Sequence, residues 1–240
     1  MKEKSYLVIK SLKWIYDHAA LVPVILMLFG ISTAVGSLYL FAEIAEGVLG
    51  KQSFQFDSIV NDWLDHFRSP FMDQLMFYIT ELGSVLSVAV LLIGMIAWLL
   101  IKKHDKWSVA FFLLTVSVGG ALNALLKHVF ERSRPEINEG VGGIGFSFPS
   151  GHAMGAMIFY GFLGYLVIRS QRRKRTKLII MSVFIILILL IGISRIYFHV
   201  HYPTDVIAGY AAGASWLYVC IFSLEFILWM KRRRRKRQLS

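Results

Sequence analysis

The stretch Ser194-Arg195-Ile196-Tyr197-Phe198-His199-Val200-His201-Tyr202-Pro203-Thr204-Asp205 sets an anion-binding guanidinium, a candidate nucleophilic imidazole and a carboxylate within one short segment. Asp205 follows His201 at a four-residue interval and Pro203 suits the first turn of a helix, so the carboxylate can reach back to the imidazole and fix its tautomer. The other ring nitrogen then keeps a lone pair for attack. Tyr202 precedes proline and is biased away from helix, so the spacing does not require His201 and Asp205 to share a helical face. Two earlier segments carry matching chemistry: Lys127, Arg132 and Arg134-Pro135, then Pro149-Ser150-Gly151-His152. The second reads as a helix start, with Ser150 as N-cap and Gly151 letting the backbone approach a ligand. Unpaired amides and the partial positive charge of a helix N-terminus make a ready anion site. All three segments suit gripping or cleaving a phosphate.

The elements that must position these groups are membrane spans. The 240 residues are 56% hydrophobic with a mean hydropathy of +0.60, too apolar for a soluble domain of this size. Apolar runs lie at 20–42, 83–101, 107–126, 152–168, 178–198 and 206–230, each about the length a helix needs to cross a ~30 Å hydrocarbon core. The fold class expected is all-α, an integral membrane bundle of six transmembrane helices. Open sheet edges cannot be satisfied in lipid, which excludes a strand reading. Lys2, Lys4, Lys10, Lys13, Lys102, Lys103, Lys106, the run from Arg169 to Lys177 and the tail from Lys231 to Arg237 fall on one side, which the positive-inside rule makes cytoplasmic. Both termini are therefore expected in the cytoplasm. The segment 43–82 carries seven acids against Lys51 and Arg68 and is assigned outside. Within it Phe56, Ile59, Val60, Trp63, Leu64 and Phe67 recur at helical spacing opposite Asp57, Asp62 and Asp65, predicting an extracytoplasmic amphipathic helix. It either lines a lipid access path or caps the bundle ends. In this topology Lys127, His152, Arg195 and the His201–Asp205 pair all lie at outer span ends, at one depth.

Blander readings apply to each group alone. Lysine and arginine at span ends commonly snorkel to the interface, but a basic cluster on the side otherwise poor in bases runs against the orientation rule and calls for an anion. Zinc on His152, His199 and His201 is disfavoured by the flanking cations, and the chain has no H-E-x-x-H pair. His128 and His199 read as structural. The net charge of +11 is concentrated at cytoplasmic loops and ends, which suits anionic lipid headgroups and not nucleic acid. Cys220, the only cysteine, reads as a small packed residue. The first apolar run lacks a convincing cleavage site and reads as a retained span. With no linker or repeat, residues 1–240 read as a single domain, with chemistry at 127–205 and a basic tail at 231–240. Gly119-Gly120 and Gly209-x3-Gly213 would permit close helix contacts, and Glu225 is expected to reach the inner interface.

The three segments resemble the signatures of the type 2 phosphatidic acid phosphatase superfamily: K-x6-R-P at Lys127 to Arg134-Pro135, P-S-G-H at Pro149 to His152, and S-R-x5-H-x3-D at Ser194 to Asp205. The resemblance implies hydrolysis of a phosphate or diphosphate ester through a phosphohistidine, with no metal and no cofactor. It implies His201 as nucleophile, Asp205 as its orienting carboxylate, and His152 as proton donor to the leaving oxygen and then activator of water. Lys127, Arg134, Arg195, Ser150 and the Gly151 amide would hold the phosphoryl oxygens. The expected partners are the bilayer and a lipid phosphate: undecaprenyl diphosphate, phosphatidylglycerophosphate, phosphatidic acid or diacylglycerol diphosphate. The expected place is the plasma membrane, as a multi-pass protein with its site on the extracytoplasmic side. A non-catalytic phospholipid-binding or transport protein is the alternative. The sequence leaves oligomeric state unread.

Overall fold

A computed structural model describes residue 28 and residues 30–102, 105–136 and 138–239. Lys2, Lys4, Lys10, Lys13 and Lys103, with most of the first half of the span expected at 20–42, lie outside the described residues. Among the described residues eight α-helices follow in order: α1 (Gly30–Leu49), then α2 (Gln55–Asp65), α3 (Pro70–Glu81), α4 (Val85–Ile101), α5 (Lys106–Phe130), α6 (Gly151–Arg169), α7 (Lys174–Tyr197) and α8 (Pro203–Leu239). Five of them, α1 and α5 to α8, are long and apolar enough to cross a membrane. The pair α3–α4, bent by 50°, makes a sixth if it counts as one broken span. The protein is a multi-pass, all-helical membrane protein.

Local chemistry sets the helix ends. Ser69, Ser84, Asp105 and Ser150 each accept a backbone N–H from the first turn of α3, α4, α5 and α6, satisfying amides that no intrahelical carbonyl can reach. Pro70 and Pro203 open α3 and α8, where a missing N–H costs nothing. α5 stops where Glu131 turns left-handed at φ 47° and returns its N–H to Lys127.

Half of the apolar window of α6 is buried, against 17% in α5 and in α7, so α6 is the axis of the bundle and its neighbours face lipid. Around it Phe112, Phe159 and Phe162 pack with ring centroids 5.0–5.5 Å apart, beside Leu99, Ile191 and Leu224. Gly209 and Gly213 let α8 lie against the α6 backbone: a Cβ at Gly209 would stand 2.7 Å from the Ser150 carbonyl oxygen, and one at Gly213 2.9 Å from that of Met154. Cys220 is buried, as a small packed residue should be.

Three boundaries and one orientation differ from expectation. α1 runs to Leu49, so the outer segment begins later than residue 43. That segment holds two helices, the second of which, α3, packs on α7 and bends into α4. α8 continues as helix through the basic tail to Leu239. In α2 Leu64 is buried and Asp62 and Asp65 are exposed, as the amphipathic pattern predicts, but Phe56, Ile59 and Trp63 are exposed as well and Asp57 is buried. The outward medium beside a membrane is apolar, so the carboxylate turns to the polar partners that the bundle end offers. Glu225 accepts the Tyr165 hydroxyl at 2.6 Å and lies 3.6 Å from Arg169 at the end of α6.

Gly209→Ala is expected to destabilise the bundle by about 1–3 kcal/mol, since backbone cannot yield to the added methyl as a flexible side chain would. The check is a lower melting temperature in detergent, with no such drop for Gly36→Ala, where a Cβ meets nothing within 4 Å.

Candidate active site

Four helices deliver their polar ends to one place. Lys127 sits in the last turn of α5, Ser150 and His152 begin α6, Arg195 ends α7, and Asp205 is in the first turn of α8. His201 lies in the turn between α7 and α8. The loop 131–149, with its single 3-10 turn Glu139–Val141, folds over them. Helix starts are tied together directly, Ser150 donating its N–H to the Asp205 carbonyl at 3.0 Å.

His201 is 2% exposed. Its Nε2 stands 3.1 Å from Arg134 Nη1 and its Nδ1 3.4 Å from Asp205 Oδ2. The second distance is contact and not a formed hydrogen bond, and Nδ1 has no hydrogen-bond partner among the described residues. Asp205 is itself fixed, accepting Arg132 Nη1 at 2.6 Å on Oδ1 and the Tyr202 N–H at 2.9 Å on Oδ2. Burial, then the positive charges of Arg134, Arg195 and Lys127, hold the His201 imidazole well below its ordinary pKa. A neutral ring follows, its Nε2 lone pair accepting from Arg134 Nη1.

Arg195 is fully buried; its Nη1 donates to Thr80 Oγ1 at 2.7 Å and to the Val141 carbonyl at 2.6 Å. Its Nε and Nη2 are buried with no partner among the described residues. Buried charged donors left unmatched are costly, and an anion is the group that matches them. Lys127 donates to the Phe146 carbonyl at 2.7 Å. Arg134 is engaged more fully than a free phosphate ligand: Nε and Nη2 donate to the Ile144 and Gly145 carbonyls, and Nη1 to Val200 at 2.6 Å. Ser150 caps α6, accepting from the Ala153 N–H at 3.4 Å.

Lys127, Arg134, Gly151, His152 and His201 meet at one end of a cavity of about 460 Å³, whose lining does not include Arg195, Ser150 or Asp205. The rest of the cavity runs between α4, α5 and α6 past Val88, Leu92, Gly120, Gly155 and Ile158, an apolar passage. The His152 ring is approached closely by Gly83 at the α3–α4 bend, where a Cβ would stand 3.2 Å from it. The two histidines read as structural stand apart. His199 bonds Asp65 at 2.9 Å, and His128 packs edge-on to Phe146. Sequence reasoning missed Thr80, which anchors Arg195, and Asn123, which lines the cavity and donates to the Pro149 carbonyl at 3.3 Å. Asn123 was findable, one helical turn before Lys127 on α5; nothing in the sequence distinguishes Thr80.

A polar, cationic cavity head with an apolar passage, built from the ends of membrane helices, defines a membrane protein shaped for an amphiphilic anion. The PAP2 superfamily model matches residues 106–229, and the chain belongs to that superfamily. It is 32% identical over 182 residues to phosphatidylglycerophosphatase B of Bacillus subtilis, covering 74% of this chain and 88% of that one. It is also 32% identical over 121 residues to the lipid A 1-phosphatase of Rhizobium johnstonii, covering 46% of each. The crystal structure of the transmembrane PAP2-type phosphatidylglycerolphosphate phosphatase from Bacillus subtilis superposes with a TM-score of 0.72 at 26% identity, over 81% of this chain and 97% of that one. Aquifex aeolicus LpxE does so with a TM-score of 0.56 at 25% identity, over 72% and 97%.

Orthovanadate, an anion of phosphate shape, is expected to bind the cavity head. Arg195→Lys should weaken it about tenfold or more, because a lysine cannot hold Thr80 and Val141 and still offer two directed donors. Calorimetric titration of both proteins measures the difference.

Proposed function

We propose that this protein is a membrane lipid phosphatase that hydrolyses a phosphate monoester or diphosphate through a phosphohistidine at His201. The observation that carries the reading is the placement of His201, with Nδ1 beside Asp205 and Nε2 beside Arg134, in the lining of a cavity that Lys127, Arg134 and His152 share, together with the buried, unmatched donors of Arg195. In the first step Nε2 attacks phosphorus, an N–P bond forms, and the P–O bond to the lipid breaks. His152 gives a proton to the leaving oxygen. In the second step His152 takes a proton from water, the water oxygen bonds phosphorus, and the N–P bond breaks to release inorganic phosphate. Asp205 stabilises the imidazolium character that develops on His201. Lys127, Arg134, Arg195, Ser150 and the Gly151 amide compensate charge on the equatorial oxygens, which Mg²⁺ does in many phosphoryl-transfer enzymes. Turnover in EDTA is expected on that account.

The apolar passage between α4, α5 and α6 suits the tails of a lipid. Likeness to the phosphatidylglycerophosphatase across most of the chain supports ranking phosphatidylglycerophosphate first, ahead of phosphatidic acid, diacylglycerol diphosphate and undecaprenyl diphosphate. The whole chain acts as a single phosphatase domain in the cell membrane. Its basic loops and termini lie in the cytoplasm and its site opens on the opposite side, as the positive-inside rule supports.

Purified protein in EDTA is expected to release phosphate from short-chain phosphatidic acid and phosphatidylglycerophosphate, and His201→Ala to release none above background. No release by folded wild-type protein on either lipid, or on an isoprenyl diphosphate, would return the choice to a binding or transport role. The pH profile of kcat/KM should be bell-shaped. Since His201 is held below its ordinary value of 6.5, the neutral ring persists as pH falls through 6.5. The acid limb should therefore lie below that point. A flat profile between about pH 5 and 9, with chemistry rate-limiting, would refute these roles.

A further inference from the structure

Asp57 stands out on α2. The side chains beside it on the same helix, Phe56, Ile59 and Trp63, are 48%, 61% and 60% exposed, while Asp57 is 5% exposed. A carboxylate driven into the bundle must be compensated there. Its Oδ1 accepts the Thr204 N–H at 2.8 Å, and its Oδ2 accepts the Thr204 hydroxyl at 2.8 Å and Arg132 Nη2 at 3.1 Å. Arg132 turns its other amino group, Nη1, to Asp205 Oδ1 at 2.6 Å and Thr204 Oγ1 at 2.9 Å, under the Tyr202 ring 4.0 Å away. The remaining oxygen of Asp205 faces His201 Nδ1. A planar guanidinium bridging two carboxylates fixes the tilt of both, which a flexible ammonium does not. Neither Asp57 nor Arg132 lines the cavity that His201 faces. Their bonded link to His201 runs through Asp205.

We infer that Asp57 is a positioning residue for the nucleophile: through Arg132 it fixes the carboxylate of Asp205 and thereby the His201 ring, coupling the seating of helix α2 to the aim of Nε2. This rests on His201 being the nucleophile. The charges around that ring are Asp205 from α8, Arg195 from α7, Lys127 from α5, His152 from α6 and Arg134 from the covering loop, with Arg132 behind Asp205. Removing the Asp57 charge leaves Arg132 unopposed, makes the site more positive and moves the acid limb to lower pH. Removing the Arg132 charge leaves two carboxylates unopposed and moves the limb to higher pH. A role confined to folding has no reason to give opposite signs.

The test is phosphate release from short-chain phosphatidic acid by the purified full-length chain across pH, with melting temperature recorded for each variant. Asp57→Asn is expected to lower kcat roughly 10- to 100-fold, the range for groups that orient a reacting residue from behind, with KM changed less than about threefold. The acid limb should fall by about half a pH unit in Asp57→Asn and rise by as much in Arg132→Gln. In the double variant it should return close to the wild-type position while kcat stays low. Asp62→Asn, an exposed neighbour on α2, should match wild type. If Asp57→Asn does not fold, Arg132→Lys takes its place: it keeps the charge without the fork, so kcat should fall with the limb unmoved. Wild-type kcat in Asp57→Asn or Arg132→Lys, or limb shifts of the same sign in Asp57→Asn and Arg132→Gln, overturns the positioning role. Full activity in His201→Ala overturns the underlying mechanism instead, so the two failures are distinguishable.

Discussion

Three cations held side by side repel one another, and the site depends on how that repulsion is contained. Lys127, Arg134 and Arg195 come from α5, the covering loop and α7. All three donate to carbonyls of one short stretch, 141–146: Val141 for Arg195, Ile144 and Gly145 for Arg134, Phe146 for Lys127. Carbonyl dipoles offset positive charge without neutralising it, so the cluster stays cationic and keeps its geometry before any phosphate arrives. Carboxylates in the same role would cancel the charge that an anionic substrate needs. The carboxylate that does enter, Asp205, is saturated by Arg132 and Tyr202 and turned to the far side of His201.

The same arrangement explains why the covering loop carries two glycines in the left-handed region, Gly142 at φ 70° and Gly145 at φ 71°. A chain that must aim successive carbonyls at three different cations cannot keep regular dihedrals, and left-handed turns are open to glycine at least cost. Gly142 also lies close to the His152 ring, where an added Cβ would come within 3.8 Å. The loop thus serves the cations through its backbone and the second histidine through its lack of side chains.

What the sequence disclosed divides along physical lines. Spans were legible because lipid demands long apolar helices, and the residues at their ends were legible because charge on an otherwise base-poor side needs a reason. Ser150 as cap, Pro203 as first helical residue and the packing role of Gly209 and Gly213 followed from local stereochemistry. The partners that hold the site were not legible. Thr80 and Asp57 reach Arg195 and Arg132 across more than seventy residues, and a threonine or aspartate in a mixed segment looks the same whether it points in or out. Asp57 turned inward while Asp62 and Asp65 stayed exposed for a related reason: periodicity assigns residues to a face, but not which of them finds a buried partner. The α3–α4 bend was hidden too, since Ser84 caps a new helix after a break too short to show in a hydropathy window.

The division of labour between head and passage accounts for what motif residues can and cannot specify. On the proposed function the cationic head would read a phosphoryl group, which every candidate substrate shares. Discrimination among lipids must therefore arise where the ligands differ, along the passage between α4, α5 and α6. Its walls are glycines and aliphatic side chains, Gly120, Gly155, Val88 and Leu92 among them. Such walls select by shape and width, and each methylene gained or lost there is worth only about 0.8 kcal/mol. A site built this way combines stringent recognition of phosphate with graded preference for the lipid attached to it. On that reading three signatures would carry the chemistry, while the lipid preference would be distributed over surfaces that no short motif encodes.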